Sequence, residues 1–170
     1  MPRRWLLILA LLSGPALASW QEALPRAEVV GGGEFRVFGF RVYTARLWSV
    51  DKPFTPEQPL ALELTYHRDI SRDDLVDASI DEIKRTSPVV SDPQLQSWRA
   101  EMAKAFVDVT AGMKIVGVYL PGREARFYVG EKLQHVVQDP VFAKAFFNIW
   151  LSPKTRDPDL REQLLGHVAK

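Results

Sequence analysis

The chain reads as an α+β domain built on an antiparallel sheet, and three observations lead there. Apolar residues alternate at a period of two over Leu60–His67. Two helical stretches with an apolar stripe follow it. After these come three short strand-like runs separated by Pro-Gly and Gly-Glu turns, and then two more helices.

Before the domain, residues 1–18 have the order of parts of a cleavable signal peptide. Arg3 and Arg4 supply a positive start, and Trp5 to Leu12 form an apolar run of eight residues. A bilayer core needs roughly 20. Ser13-Gly14-Pro15 breaks the run, and Ala16-Leu17-Ala18 offers small residues where a signal peptidase reads. Cleavage is expected after Ala18, leaving 19–170 as one domain in the periplasm or outside the cell. No later run is long enough to span a membrane, so no stable membrane insertion is expected after cleavage. The absence of Cys excludes a lipoprotein anchor, disulfides, thiolate metal sites and Cys nucleophiles.

The full chain has 22 basic and 21 acidic residues. Without Arg3 and Arg4 the balance is 20 to 21, a formal charge of −1. No basic run exceeds two residues, and the near-neutral balance gives no electrostatic reason to expect nucleic acid or an anionic membrane as a partner.

Gly31-Gly32-Gly33 marks a tight spot. Phe35 to Val50 is aromatic and β-branched and reads as two strands, with Gly39 at a bulge. Pro53, Pro56 and Pro59 mark a loop. The next strand puts Leu62, Leu64 and Tyr66 on a buried face and Glu63, Thr65 and His67 on the other. Ser71 to Asp74 has the form of a capping box, and the helix it opens runs to about Arg85. Leu75, Val76, Ser79, Ile80 and Ile83 form its inner face. Thr86-Ser87-Pro88 ends it. Asp92-Pro93 opens a second helix, striped by Leu95, Trp98, Met102, Ala105 and Phe106. The meander follows over Lys114–Leu120, Ala125–Val129 and Lys132–Val136. Asp139-Pro140 opens a helix with Phe142, Phe146, Ile149 and Trp150, and Asp157-Pro158 opens the last, closed by Gly166.

The polar residues give little catalytic pattern. His67, His135 and His167 stand at no metal-ligand spacing, and His67 is placed to hydrogen-bond locally. No metal or cofactor is expected. Asp73 and Asp74 suit a helix N-terminus, and Glu101 with Lys104 a surface ion pair. The aromatics say more. Phe35, Phe38, Phe40, Tyr43 and Trp48 crowd the first hairpin, interleaved with Arg36, Arg41 and Arg46. Two readings stand: a sheet packed on helices with arginines on its polar face, or an apolar cleft with an Arg at its mouth for a carboxylate or phenolic oxygen.

The ordered set GGGEFRVFGFRVYTARLW, LALELTYHRDISRDDLVDASIDEIKR, GMKIVGVYLPGREARFYVGEKL and DPVFAKAFFNIWLSPKTRDPDLREQLLG resembles bacterial chalcone isomerase-like proteins, from about Gly31 to Gly166. The run F-F-x-I-W-L-x-P at Phe146 to Pro153 carries most of the likeness. The resemblance implies an antiparallel sheet with helices packed on one face, an open-faced β-sandwich. Plant chalcone isomerases close a flavanone ring with an Arg, a Thr, a Tyr, a Lys and an Asn. By the resemblance the Arg falls at or near Glu34, with Arg36 the nearest basic alternative. The Thr falls at Tyr43 or Thr44, the Tyr near Ser71, the Lys near Asp74 and the Asn near Ala78. Acids where an oxyanion needs cations argue against the isomerase reaction.

Three functions remain in view. The first is a non-catalytic domain binding a small apolar or amphipathic ligand such as a fatty acid. The second is an isomerase or intramolecular lyase acting on a phenolic or enone substrate. The third is a partner-binding module with a filled cleft. The candidate ligand-binding residues are Arg36, Arg41, Tyr43 and Thr44, with Arg36 expected to enter the cleft.

Overall fold

In the computed structural model, which describes residues 19–87 and 89–167, six strands pair in chain order into one antiparallel sheet. They are β1 (Glu28–Val37), β2 (Phe40–Ser49), β3 (Leu60–Tyr66), β4 (Lys114–Leu120), β5 (Glu124–Val129) and β6 (Lys132–Val137). A short α1 (Trp20–Ala23) precedes them. Helices α2 (Arg72–Thr86) and α3 (Asp92–Ala105) are inserted between β3 and β4, and α4 (Pro140–Leu151) and α5 (Pro158–Leu164) follow β6. The expected leader, residues 1–18, lies outside the described residues. No helix among those described is long and apolar enough to cross a membrane.

One face of the sheet carries the main core. Leu62, Leu64 and Tyr66 meet the predicted stripes of α2, α3 and α4, including Ile80, Trp98 and Phe146. The α+β class and the helical layer on this face are as the sequence reading has them. Asp139 caps α4 by accepting from the Val141 and Phe142 amides, and its other oxygen accepts from Trp98 Nε1 at 2.9 Å. This single side chain therefore fixes α4 against α3.

Four local expectations are corrected. Gly39 is not at a bulge. It forms a two-residue turn with Phe38, and both have positive φ (81° and 49°), as a hairpin of right-twisted strands requires. The bulge falls on Val42, since Phe35 pairs with Tyr43 and Arg36 with Arg41. The second helix is capped by Ser91 rather than Asp92, in a reciprocal box with Gln94. At Ser71 only half the box forms: its hydroxyl accepts from the Asp74 amide at 3.1 Å.

The fourth correction concerns β3, whose second face is also largely covered. Ala61 is fully buried and Glu63 nearly so. Trp20 and Leu24 lie over this face with Ala61, Val116, Val118 and Tyr128, and the Trp20 and Trp48 rings sit 5.3 Å apart.

The glycine run forms part of an extended β1, and its tightness comes from close approach. A Cβ on Gly31 would stand 2.0 Å from the Gln163 carbonyl oxygen at the end of α5. Bare backbone lets α5 lie directly on the edge strand and close one side of the molecule.

Candidate functional site

Helices α2, α4 and α5 do not seal against the sheet. Between them lies a cavity of about 380 Å³. Its floor is Leu62, Leu64 and Tyr66 from β3 with Ile115 and Gly117 from β4, and its roof is Phe146, Phe147 and Trp150 from α4. Gly117 has a steric reason: a Cβ there would come within 3.1 Å of the Phe147 ring. Its absence lets that ring lie close to the sheet.

Two phenols supply polarity inside. Tyr43 stacks on Phe35 at 5.1 Å, and its hydroxyl oxygen accepts from Trp150 Nε1 at 2.9 Å. That bond uses the oxygen as acceptor and leaves the O–H free to donate. Tyr66, only 4% exposed, lines the same cavity, and its hydroxyl makes no hydrogen bond among the described residues. Burial pushes both phenols well above their ordinary value of 10.0. The Trp150 bond opposes this at Tyr43. Both therefore stay protonated donors at neutral pH. Two O–H donors in an apolar chamber suit one oxygen acceptor on an otherwise apolar molecule.

The rim is mostly acidic. Asp74, Asp81, Glu82 and Asp157 surround it, with Arg156 the cation among the lining residues. Glu82 Oε1 accepts a hydrogen bond from Arg156 Nε at 2.6 Å and lies at ion-pair distance from a terminal nitrogen of the same guanidinium, so Arg156 is already paired. Asp157 is engaged as the cap of α5, accepting from the Leu160 amide at 2.9 Å.

Of the four candidate residues, Tyr43 alone lines this cavity. Arg36 does not enter it, contrary to expectation, and neither do Arg41 and Thr44. Strand parity explains this: Phe35 and Val37 turn toward the cavity, which sends Glu34 and Arg36 to the other face. There Glu34 bridges both arginines, at 2.7 Å to Arg36 and 2.6 Å to Arg41. The Arg36 hydrogen bond, with help from Arg41, holds the Glu34 carboxyl below its ordinary range. Thr44 and His67 share a 2.7 Å hydrogen bond on the same side, so the His67 ring bonds across to β2 rather than to its sequence neighbours as expected.

Of the places implied by the resemblance, Glu34 thus lies on the other face of β1 and does not line the cavity, and the Ser71 hydroxyl oxygen accepts from the Asp74 amide as a cap. Asp74 and Ala78 lie at the cavity wall. Tyr66 and Trp150 are the site residues that sequence reasoning took for core alone. The one signal of Tyr66 was a hydroxyl at the end of an apolar alternation. No group of His, Asp and Glu among the described residues is arranged to hold a metal ion.

Compared with known proteins, the chain is similar in structure to a fatty-acid binding protein of Arabidopsis thaliana. The TM-score is 0.62 at 12% identity, over 82% of this chain and 87% of that one. That likeness establishes the fold. No curated protein sequence matches the chain. The family model described as chalcone isomerase-like matches residues 31–166, which takes in every strand but the start of β1 and all of α2 to α5. The chain belongs to the chalcone isomerase-like family.

Proposed function

We propose that this domain is a non-catalytic binder of a small apolar or amphipathic molecule, with a fatty acid as the first class to test. The observation that carries this reading is an unfilled apolar cavity lined by a buried phenol, Tyr66, whose hydroxyl has no hydrogen-bond partner among the described residues. A volume of about 380 Å³ lies within the usual range of ligand pockets, roughly 300–1,000 Å³. The oxygen end of the ligand would take the Tyr43 and Tyr66 donors, and its chain would lie under Phe146 and Phe147. The name of the structural relative supports the ligand class. Ser71, Asp74 and Ala78, at the places where the resemblance puts the Tyr, Lys and Asn, favour binding over isomerase chemistry. An open cavity speaks against a cleft filled by the protein's own side chains.

Calorimetric titration with dodecanoate, dodecanol and methyl dodecanoate tests the proposal. Tyr66→Phe should weaken the tightest of them by about 2- to 12-fold, the equivalent of one ordinary hydrogen bond. Ser79→Phe, which places a ring in the cavity, should abolish binding. Silence from all three molecules, with no change in melting temperature, overturns it. A chalcone cyclisation rate more than about a thousandfold above buffer would overturn the non-catalytic part.

We also propose export, with Ser19 as the mature N-terminus. N-terminal sequencing of the periplasmic or secreted protein checks this, and a species retaining Met1 in the membrane fraction refutes it.

A further inference from the structure

The tip of the β1–β2 hairpin is the least economical part of the surface. Phe38 is 97% exposed and Phe40 69%, and Val37 beside them is also exposed. Phe38 has a φ of +49°, in the left-handed region where turns of this kind favour Asn, Asp or Gly and where a bulky side chain is an outlier. The ring thus costs backbone strain and, at that exposure, adds almost nothing to the core. Neither folding nor solubility accounts for it.

The neighbouring residues are sorted by face. Val37 and Phe40 are direct cross-strand partners, and Val37 lines the cavity, which places both on the helical side. Arg36 and Arg41 are the next pair inward and lie on the opposite side. They remain about half exposed, at 51% and 49%, although Glu34 bridges them. The three charges leave one net positive. His67 lies beside Arg41 at 3.3 Å.

We propose that this tip docks on an anionic lipid surface. Phe38 enters the acyl region with Phe40 and Val37, and Arg36 and Arg41 meet the phosphates of the headgroups. The shape selects lipid over a protein partner. A two-residue apex with three apolar side chains is convex and small, while a stable protein interface covers roughly 800 Å² on each side. A fluid surface needs no matching pocket and accepts an aromatic wedge flanked by cations. The tip is also continuous with the cavity, because Phe35, Val37 and Val42 line it from the same hairpin. An apolar molecule leaving a membrane at the tip would meet that wall first. The docking itself does not depend on what the cavity holds.

Co-sedimentation of the mature protein with vesicles tests this, using phosphatidylcholine alone and an equal mixture with phosphatidylglycerol. Binding is expected to the mixture, weaker binding to phosphatidylcholine, and loss at high salt. Phe38→Asn is the decisive variant, because Asn suits the turn. It should keep or raise the melting temperature while weakening vesicle binding at least about tenfold. Replacing Arg36 and Arg41 together with Gln should weaken binding to the anionic vesicles several-fold at low salt. Ser79→Phe, with the cavity blocked, should bind vesicles as the native protein does. Its failure to bind would mean that lipid extraction into the cavity, rather than the tip, gave the signal, and would overturn the proposal. Unchanged binding by Phe38→Asn overturns it too. So does the absence of vesicle binding together with a dimer in sedimentation velocity that Phe38→Asn disperses, since the tip would then join two copies.

Discussion

Trp150 joins the two halves of the site, and truncating it separates packing from hydrogen bonding. The ring is 9% exposed, packs edge-on to Phe146 at 5.4 Å, and donates to Tyr43 at 2.9 Å. Removing a buried aromatic to Ala typically costs about 3–5 kcal/mol. Because Trp150 borders a cavity that already exists, Ala enlarges that space rather than opening a sealed void. The expected loss is therefore near the lower end, about 3 kcal/mol. Trp150→Phe keeps a ring against Phe146 and deletes only the N–H and part of the area. The Tyr43 oxygen still faces a cavity that water can enter, so the expected loss is about 1 kcal/mol. With a urea slope of about 2 kcal/mol per molar, the midpoints fall by about 1.5 M and 0.5 M, with the slope itself unchanged. An Ala midpoint within about 0.5 M of the native value would mean that the ring is not packed as described. Equal damage from Phe and Ala would assign the whole effect to the hydrogen bond.

Three further outcomes are expected. Gly31→Ala forces a methyl against the Gln163 and Leu164 carbonyls and should cost at least about 1–3 kcal/mol, read as a lowered urea midpoint; a neutral result would mean that α5 is not seated on β1. Asp139→Asn should retain the α4 cap through its one oxygen while its amide opposes Trp98 Nε1, for a loss of about 1–3 kcal/mol, and Asp139→Ala should lose roughly 1 kcal/mol more in the same assay. Above pH about 10 the unfolded chain gives up the Tyr43 and Tyr66 protons while the folded state still holds them, so stability should fall as pH rises. Phenolate absorbance from these two should appear only on unfolding, and its appearance in the folded protein would contradict their burial.

Much of the fold was readable because periodicity and caps agree locally. The β3 alternation, the stripes of α2 and α3, and the Asp-Pro starts of α4 and α5 each state their own answer. The hairpin turn was hidden because Phe38 occupies a place where Asn or Gly would announce it. Helix α1 is a single turn, too short to show a period, so the covered second face of β3 could not be foreseen. At the site, Tyr43 is legible twice, among the crowded aromatics of the first hairpin and at a place the family resemblance implies. Tyr66 on its strand and Trp150 on its helical stripe read as core because periodicity reports burial and is silent on what a buried O–H or N–H bonds to. Arg36 was misplaced by one residue of parity, and the Glu82–Arg156 pair joins α2 to the loop after α4, a contact that local patterns do not encode.

The chain-order pairing of the strands has a kinetic consequence. β1–β2 and β5–β6 close across two residues each, and β4–β5 across three, so these hairpins can zip on their own in microseconds. β3 and β4 are the exception. They meet only after residues 67–113, which contain α2 and α3, have been gathered in. Closing that loop costs roughly 1–1.5 kcal/mol more than closing the ten residues between β2 and β3. The two sub-sheets should therefore form early and independently, and their joining along β3–β4 should limit the folding rate. Substitutions on the buried face of α2, such as Ile83→Val, should slow folding, while those at the β5–β6 turn should mainly speed unfolding.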